Sequence, residues 1–285
     1  SDTASLQVLV KGTGTVDMDM ISLFPQRTWK NRPNGARYDL AKMISDLKPK
    51  YFRFPGGCAV QGIDRSNAYR WKLSVGPVEQ RKSNYNFWFD SERPYYNQSL
   101  GFGFYEYFQF AEDIGATPVP AINCGMSWNT GEVVPLDELE PYIQDAVDLV
   151  DFANSIDFEN NEWARLRRDM GHPEPFNLKY LEIGNEDYGT NYYERYAMFA
   201  ERLRKTHPEI KLIIVGGITM GDSINTTTWA RLQQGLSDAD VVDEHYYTSN
   251  SNLYANMNRY DNYDRNAQTV FIGEYASNST ANSIT

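Results

Sequence analysis

From about Lys50 onward, short runs of β-branched and aromatic residues ending in glycine or a polar residue alternate with longer amphipathic stretches. Repeated strand–helix units produce that alternation. It predicts six strands, over residues 51–54, 117–122, 179–183, 211–215, 240–245 and 269–274. Between them, apolar residues recur at three- and four-residue intervals, which predicts helices over 105–113, 139–154, 192–205 and 229–234. The sets that follow the strands are Pro-Gly-Gly-Cys, Asn-Cys-Gly, Gly-Asn-Glu, Gly-Gly, His-Tyr-Tyr and Glu-Tyr-Ala. A doubly wound sheet collects ligand groups only at a switch point, whereas a (β/α)8 barrel builds its site from the loops after all its strands. The expected fold class is therefore an α/β, TIM-type (β/α)8 barrel.

The first stretch reads differently. Residues 5–10 and 16–24 look like two strands around Lys-Gly-Thr-Gly-Thr, and Val16, Met18 and Met20 alternate with Asp17 and Asp19 as in a half-exposed antiparallel pair. The expected organisation is a β-sandwich-like remnant over 1–24, a linker and helix over 25–49 with the helix at 39–48, and a barrel over 50–285.

Composition narrows the field. The 285 residues are 41% hydrophobic and 23% charged, which fits one large α/β domain, or one domain and part of another. Net charge is -11 and no Lys/Arg run stands out, so nucleic acid is not an expected partner. No apolar stretch approaches the roughly 20 residues that cross a bilayer, and the chain does not open on a basic segment followed by an apolar one, so no membrane partner is expected either. The 20 Tyr and 6 Trp suit stacking on sugar faces and an ordinary core equally well. Cys58 and Cys124 lack metal-ligand spacing and read as buried free thiols. The sequons at Asn97, Asn225 and Asn278 add little.

The chemistry lies in carboxylates at strand ends. Glu186, in Ile183-Gly-Asn-Glu, pairs an acid with Asn185, an amide able to hold a sugar hydroxyl; the bland alternative is a solvent-facing loop Glu. Glu274 follows an apolar strand directly, an awkward place for a charge without a function. Three strand–helix units separate the two, so both can face one barrel mouth, where retaining glycosidases hold their carboxyls roughly 5 to 5.5 Å apart. His245 and Tyr247 alternate to one side of an extended chain and can reach the site, while Tyr246 turns away; a packing His with core Tyr is the alternative. Arg53 is placed to brace a carboxylate, above a tight turn at Gly56 and Gly57. Consecutive Asp243, Glu244 and His245 cannot converge on one ion from a strand, so no metal is expected. No nucleophile elbow, phosphate loop or dinucleotide fingerprint is present, and no cofactor is expected.

Arg53-Phe-Pro-Gly-Gly, Gly76-Pro-Val-Glu-Gln-Arg81, Glu182-Ile-Gly-Asn-Glu186, Asp243-Glu-His-Tyr-Tyr247 and Phe271-Ile-Gly-Glu274-Tyr resemble, in this order, the catalytic domain of family 51 glycoside hydrolases, the α-L-arabinofuranosidases. The resemblance covers roughly residues 21–276. It implies hydrolysis of terminal α-L-arabinofuranosyl groups of plant polysaccharides with retention, Glu186 as acid/base and Glu274 as nucleophile. It also implies a substrate contact at Asn185, Tyr247 beside the nucleophile, Arg53 lining the pocket and a substrate-facing Trp88. Where many members have Asn after Pro-Gly-Gly, this chain has Cys58.

Against the family pattern, the first visible strand looks like the second stave and the last like the seventh. The barrel is thus expected to lack strands one and eight and the C-terminal β-sandwich, leaving one gap whose edges are covered by further chain segments or by an oligomeric partner. Two alternatives keep different parts of this reading: an endo-acting β-1,4-glucanase or xylanase of the same family, and a sugar-binding partial barrel without catalysis. Access to plant polysaccharide implies a secreted or periplasmic location; imported oligosaccharides would suit a cytoplasmic one.

Overall fold

The computed structural model describes residues 7–18, 21, 23–33, 35–88, 97–128 and 131–277. Six parallel strands form one sheet in sequence order: β1 (Tyr51–Phe54), β2 (Thr117–Ile122), β3 (Tyr180–Ile183), β4 (Lys211–Val215), β5 (Val241–Thr248) and β6 (Thr269–Ser277). All six expected strands are present. β5 and β6 run past their expected ends because their pairing continues through Tyr247↔Ala276 and Thr248↔Ser277. Eight helices are described: α1 (Tyr38–Asp46), α2 (Cys58–Gln61), α3 (Phe104–Ile114), α4 (Glu140–Asn154), α5 (Glu162–Asp169), α6 (Gly189–Thr206), α7 (Ser223–Gln233) and α8 (Asn250–Ala255).

The period-two alternation of the strands sorts residues to two sides. Phe52, Phe54, Leu181, Ile183, Leu212, Ile214 and Val242 join the main core beneath α3, α4 and α6. The opposite set faces the barrel interior, where Val119, Ile213 and Val241 pack with Tyr180 and Phe271 at the amino-terminal end. Further along the same faces lie Arg53, Glu182 and Asp243, so the interior changes from apolar to ionic toward the strand carboxyl ends. The sheet curls until Tyr51 on β1 meets Phe271 on β6, ring centroids 6.1 Å apart, yet these strands do not hydrogen-bond to each other. An incomplete barrel with one gap is the result.

Helices α3, α4 and α6 form where the apolar period dictates. On α6, Tyr192, Tyr196, Phe199 and Leu203 are buried, with Arg204 and Lys205 in the last turn, where cations suit the helix dipole. α5 escaped the sequence reading because EWARLRRD is mostly charged; its N-cap Asn161 accepts from Ala164 N, and its one fully buried guanidinium organises the surrounding loops. Arg167 donates to the carbonyls of Phe152, Ser155, His172 and Pro173 at 2.7–3.0 Å, tying the end of α4 to the segment that leads into β3. Arg167→Met takes the donor from four carbonyls, that of buried Phe152 among them, and is expected to cost about 2–3 kcal/mol in urea denaturation; a loss below about 1 kcal/mol means that water replaces the guanidinium.

The amino-terminal pair of strands does not occur among the described residues. The described residues within 7–24 carry no strand and are exposed, and Ser5, Leu6, Asp19, Met20 and Ser22 of the expected pair lie outside the described residues. The expected linker is also anchored. Trp29 Nε1 (3.0 Å), Lys30 Nζ (2.8 Å) and Arg32 all donate to Asp113 on α3, and the Thr28↔Arg37 bridge closes the turn. Asn225 is buried and bonds Gly216 O, which removes it as a glycosylation acceptor in the folded chain.

Candidate active site

The site is assembled from the ends of β1, β3, β5 and β6. Arg53 comes first, because its side chain points inward from β1 and is nearly fully buried. Its Nε and Nη2 grip both oxygens of Glu182 at 2.6 and 2.7 Å, Nη1 reaches Glu274 Oε1 at 2.7 Å, and Nη2 also donates to Asn185 Oδ1 at 2.8 Å. A planar guanidinium with five donors suits such a four-way contact. Asp243 lies 3.6 Å from the same Nη2.

His245 follows on β5. Nε2 meets Asp243 Oδ2 at 3.0 Å and Nδ1 meets Glu186 Oε1 at 2.9 Å, with Glu274 Oε2 3.8 Å from the same Nδ1. Burial lowers the pKa of the imidazole, but hydrogen bonds to Asp243 and Glu186 and the nearby Glu274 charge overcome it, pushing it up to about 10. Tyr247, two residues on, donates to Glu274 Oε2 at 2.6 Å. Tyr246 points away and donates to Glu244 at 2.6 Å, as strand alternation requires.

Glu274 is placed by an irregularity. Phe271 faces the interior, so strict alternation would send Gly273 inward and Glu274 out. The β5–β6 register instead shifts between Asp243↔Phe271 and His245↔Glu274, adding one residue to β6. Gly273 permits this: its N donates to Asp243 Oδ1 at 2.7 Å, and a Cβ there would lie 2.4 Å from that oxygen. Gly57 likewise gives room to the Glu274 carboxylate, with a φ of +50° and a Cβ position 3.2 Å from Oε1. Burial would raise the Glu274 pKa, but His245, Arg53 and the Tyr247 hydroxyl outweigh it and hold the carboxyl below its usual range.

Glu186 sits just beyond β3 in a left-handed backbone conformation, φ +51°, and is buried. A carboxylate oxygen of Glu186, one of Glu274 and a nitrogen of His245 all lie within 4.8 Å of one another. That spacing matches the pair that retains configuration and falls well short of the roughly 6.5–9.5 Å that admits a water between carboxyls. Arg53, Gly57, Trp88, Tyr247 and Glu274 line an open cavity of about 550 Å³, and Trp88 is 55% exposed at its side. All seven candidate side chains therefore reach one region.

Sequence reasoning did not single out the layer beneath. Burial, then the neighbouring Asp243, push Glu182 up to about 8 against the pull of Arg53. In Asp243, burial works to raise the pKa but His245 and Arg53 prevail and lower it. Glu182 is thus the more basic of the two carboxyls, and Asp243, beneath the imidazole, the more acidic. Glu182 was findable, since a charge two residues after Tyr180 on an inward face needs a partner. Gln61 and Asp187, which flank Asn185, carry no such signal.

Residues 43–265 match the family model for the α-L-arabinofuranosidase 1 domain. The chain belongs to the family 51 α-L-arabinofuranosidases. Among its relatives, the extracellular exo-α-L-arabinofuranosidase of Streptomyces chartreusis is 39% identical, over 96% of this chain and 34% of that protein. α-L-Arabinofuranosidase 1 of Arabidopsis thaliana is 38% identical, over 96% of this chain and 37% of its own length. An arabinose-bound family 51 α-L-arabinofuranosidase structure superposes with a TM-score of 0.75 at 34% identity, covering 88% of this chain and 37% of that one. The chain thus spans little more than a third of the relatives it matches. Both free cysteines are buried; burial first, then Glu186 and Glu274, push Cys58 up to about 12, which leaves a neutral thiol where many arabinofuranosidases have Asn. Among the described residues, no helix is long and apolar enough to cross a membrane.

Proposed function

We propose that this protein is a retaining α-L-arabinofuranosidase that releases terminal L-arabinofuranosyl groups from arabinose-containing plant polysaccharides or oligosaccharides, without metal or organic cofactor. The observation that carries the reading is the approach of Glu186 and Glu274 carboxylate oxygens to within 4.8 Å of His245 and of each other. A Glu274 oxygen attacks the anomeric carbon as the bond to the leaving oxygen breaks, and a proton from Glu186 passes to that oxygen. The sugar is left as an ester on Glu274. Glu186 then takes a proton from water, whose oxygen displaces Glu274 and restores the original configuration.

Each residue serves a charge or a proton. Arg53 and the Tyr247 hydroxyl keep Glu274 ionised for attack and stabilise it as a leaving group. His245, pushed up to about 10 against burial by its hydrogen bonds to Asp243 and Glu186, donates to Glu186 Oε1 at 2.9 Å and is placed to return a proton to it. Asn185 holds a sugar hydroxyl and Trp88 offers an apolar face at the cavity's side.

Relatives named as arabinofuranosidases support this substrate and give no support to an endo-glucanase, a xylanase or a non-catalytic binder. The extracellular Streptomyces relative supports secretion. Further segments of the polypeptide, or a partner chain, cover the free edges of β1 and β6. Activity is tested by incubating the purified protein with 4-nitrophenyl α-L-arabinofuranoside, arabinoxylan and carboxymethyl-cellulose. Release of nitrophenol and arabinose from the first two is expected. Hydrolysis of carboxymethyl-cellulose alone sinks the assignment.

A further inference from the structure

Asn185 is fully buried, and its amide lies in a directional relay. Its Oδ1 accepts from Arg53 Nη2 at 2.8 Å, and its Nδ2 donates to Gln61 Oε1 at 3.1 Å. Gln61, itself buried at the end of α2, passes the relay on by donating Nε2 to Asp187 Oδ1 at 2.8 Å. The other Asp187 oxygen accepts from Asn185 N at 3.1 Å and from the Cys124 thiol at 3.3 Å.

The two ends leave the amides no choice. A guanidinium has only donors, so it demands the oxygen of Asn185, while a carboxylate with three donors around it demands the nitrogen of Gln61. Between them, the Gln61 oxygen must face the Asn185 nitrogen. Flipping either amide sets donor against donor or acceptor against acceptor inside a buried network, where an unmade hydrogen bond is costly. One proton of Asn185 Nδ2 goes to Gln61, and the second makes no hydrogen bond among the described residues.

We propose that Gln61, clamped by Asp187, is a positioning residue that works with Arg53 to hold the Asn185 amide, Arg53 taking its oxygen and Gln61 one of its protons, so that the remaining N–H faces the 2-hydroxyl of the bound sugar. This rests on the arabinofuranosidase reading for the identity of that sugar. Gln61 touches no substrate itself; it acts through Asn185. The same clamp holds the backbone on both sides of Glu186, since Asp187 binds Asn185 N across the left-handed turn.

The test is a substrate-selective loss. Because glycosidase hydrogen bonds to the 2-hydroxyl strengthen in the transition state, Gln61→Met is expected to lower kcat on 4-nitrophenyl α-L-arabinofuranoside by roughly 10- to 100-fold, with KM changed less than about threefold. On the 2-deoxy analogue, variant and parent should agree within about threefold. In an Asn185→Ala background, Gln61→Met should add no more than about twofold. Equal losses on both substrates, or additive losses in that cycle, overturn the proposal. Asp187→Asn keeps the volume but needs its oxygen for Asn185 N and Cys124, so its amide nitrogen confronts Gln61 Nε2. The same selective loss is expected there, and wild-type kinetics overturn the relay even if Gln61→Met fails to fold. An inactive parent protein would sink the arabinofuranosidase reading instead. The relay is then read from nitrogen-15 NMR of the Asn185 side-chain amide: slow solvent exchange in the parent and fast exchange in Gln61→Met are expected, and no change overturns it.

Discussion

Glu274→Ala is expected to lower kcat/KM on every α-L-arabinofuranoside by at least about 10⁴-fold, since it deletes the atom that attacks the anomeric carbon and nothing else in the cavity can replace it. Gly57 and Tyr247 stay in place around the vacated carboxylate position, which is large enough for azide. Added azide attacks from the same side and should yield the glycosyl azide of inverted configuration. In the unmodified protein the pH profile carries the same information. Glu274 is held below the usual carboxylate range, by His245 and Arg53 prevailing over burial, so activity persists as pH falls through that range and is lost only when pH passes the depressed value and the nucleophile takes up a proton. Arg53→Met removes a hydrogen-bonded cation, and the acid limb should move to higher pH. Undiminished turnover by Glu274→Ala would refute its assignment as nucleophile.

Glu186→Ala has the second-largest expected effect, and it should depend on the leaving group. A natural oligosaccharide departs as an alkoxide without a proton donor, and loss of the acid should cost about 10²–10⁴-fold in glycosylation. An aryl glycoside with an acidic phenol leaves unaided, so its first step should change far less and the glycosyl ester on Glu274 should accumulate as a burst. Azide, needing no base, should then discharge that ester with retained configuration. Equal losses on both substrate types would remove Glu186 from the acid role. Since His245 Nδ1 meets Glu186 Oε1 at 2.9 Å, His245→Gln should give a weaker version of the same leaving-group dependence.

Much of the barrel was legible because its strands obey one rule. Arg53, Glu182, Asp243, His245 and Tyr247 sit at inward positions that alternate with core residues such as Phe52, Leu181 and Val242, and a period of two needs no knowledge of neighbours. The elements missed were those whose stability comes from elsewhere. α5 is mostly charged, with only Trp163 and Leu166 to pack on the main core while Arg167 holds four carbonyls, and residues 25–37 are pinned by Asp113, which lies far away in sequence. The amino-terminal pair was expected from alternation alone, which makes a strand possible without supplying the neighbouring sheet that stabilises one, and no strand occurs among the described residues of 7–24.

By itself, then, the sequence determined the strand order, the carboxyl-end location of the polar groups and which two glutamates to compare, because these follow from local period and motif. Tertiary structure alone decided that Glu274 faces the cavity, because its inward turn depends on an extra residue in β6 opposite Asp243, against the alternation visible in the chain. It also decided how the charges are shared. Arg53 binds Glu182 and Glu274, 129 and 221 residues away, and the ionisation of buried groups is set by distances of a few ångströms that no linear spacing encodes.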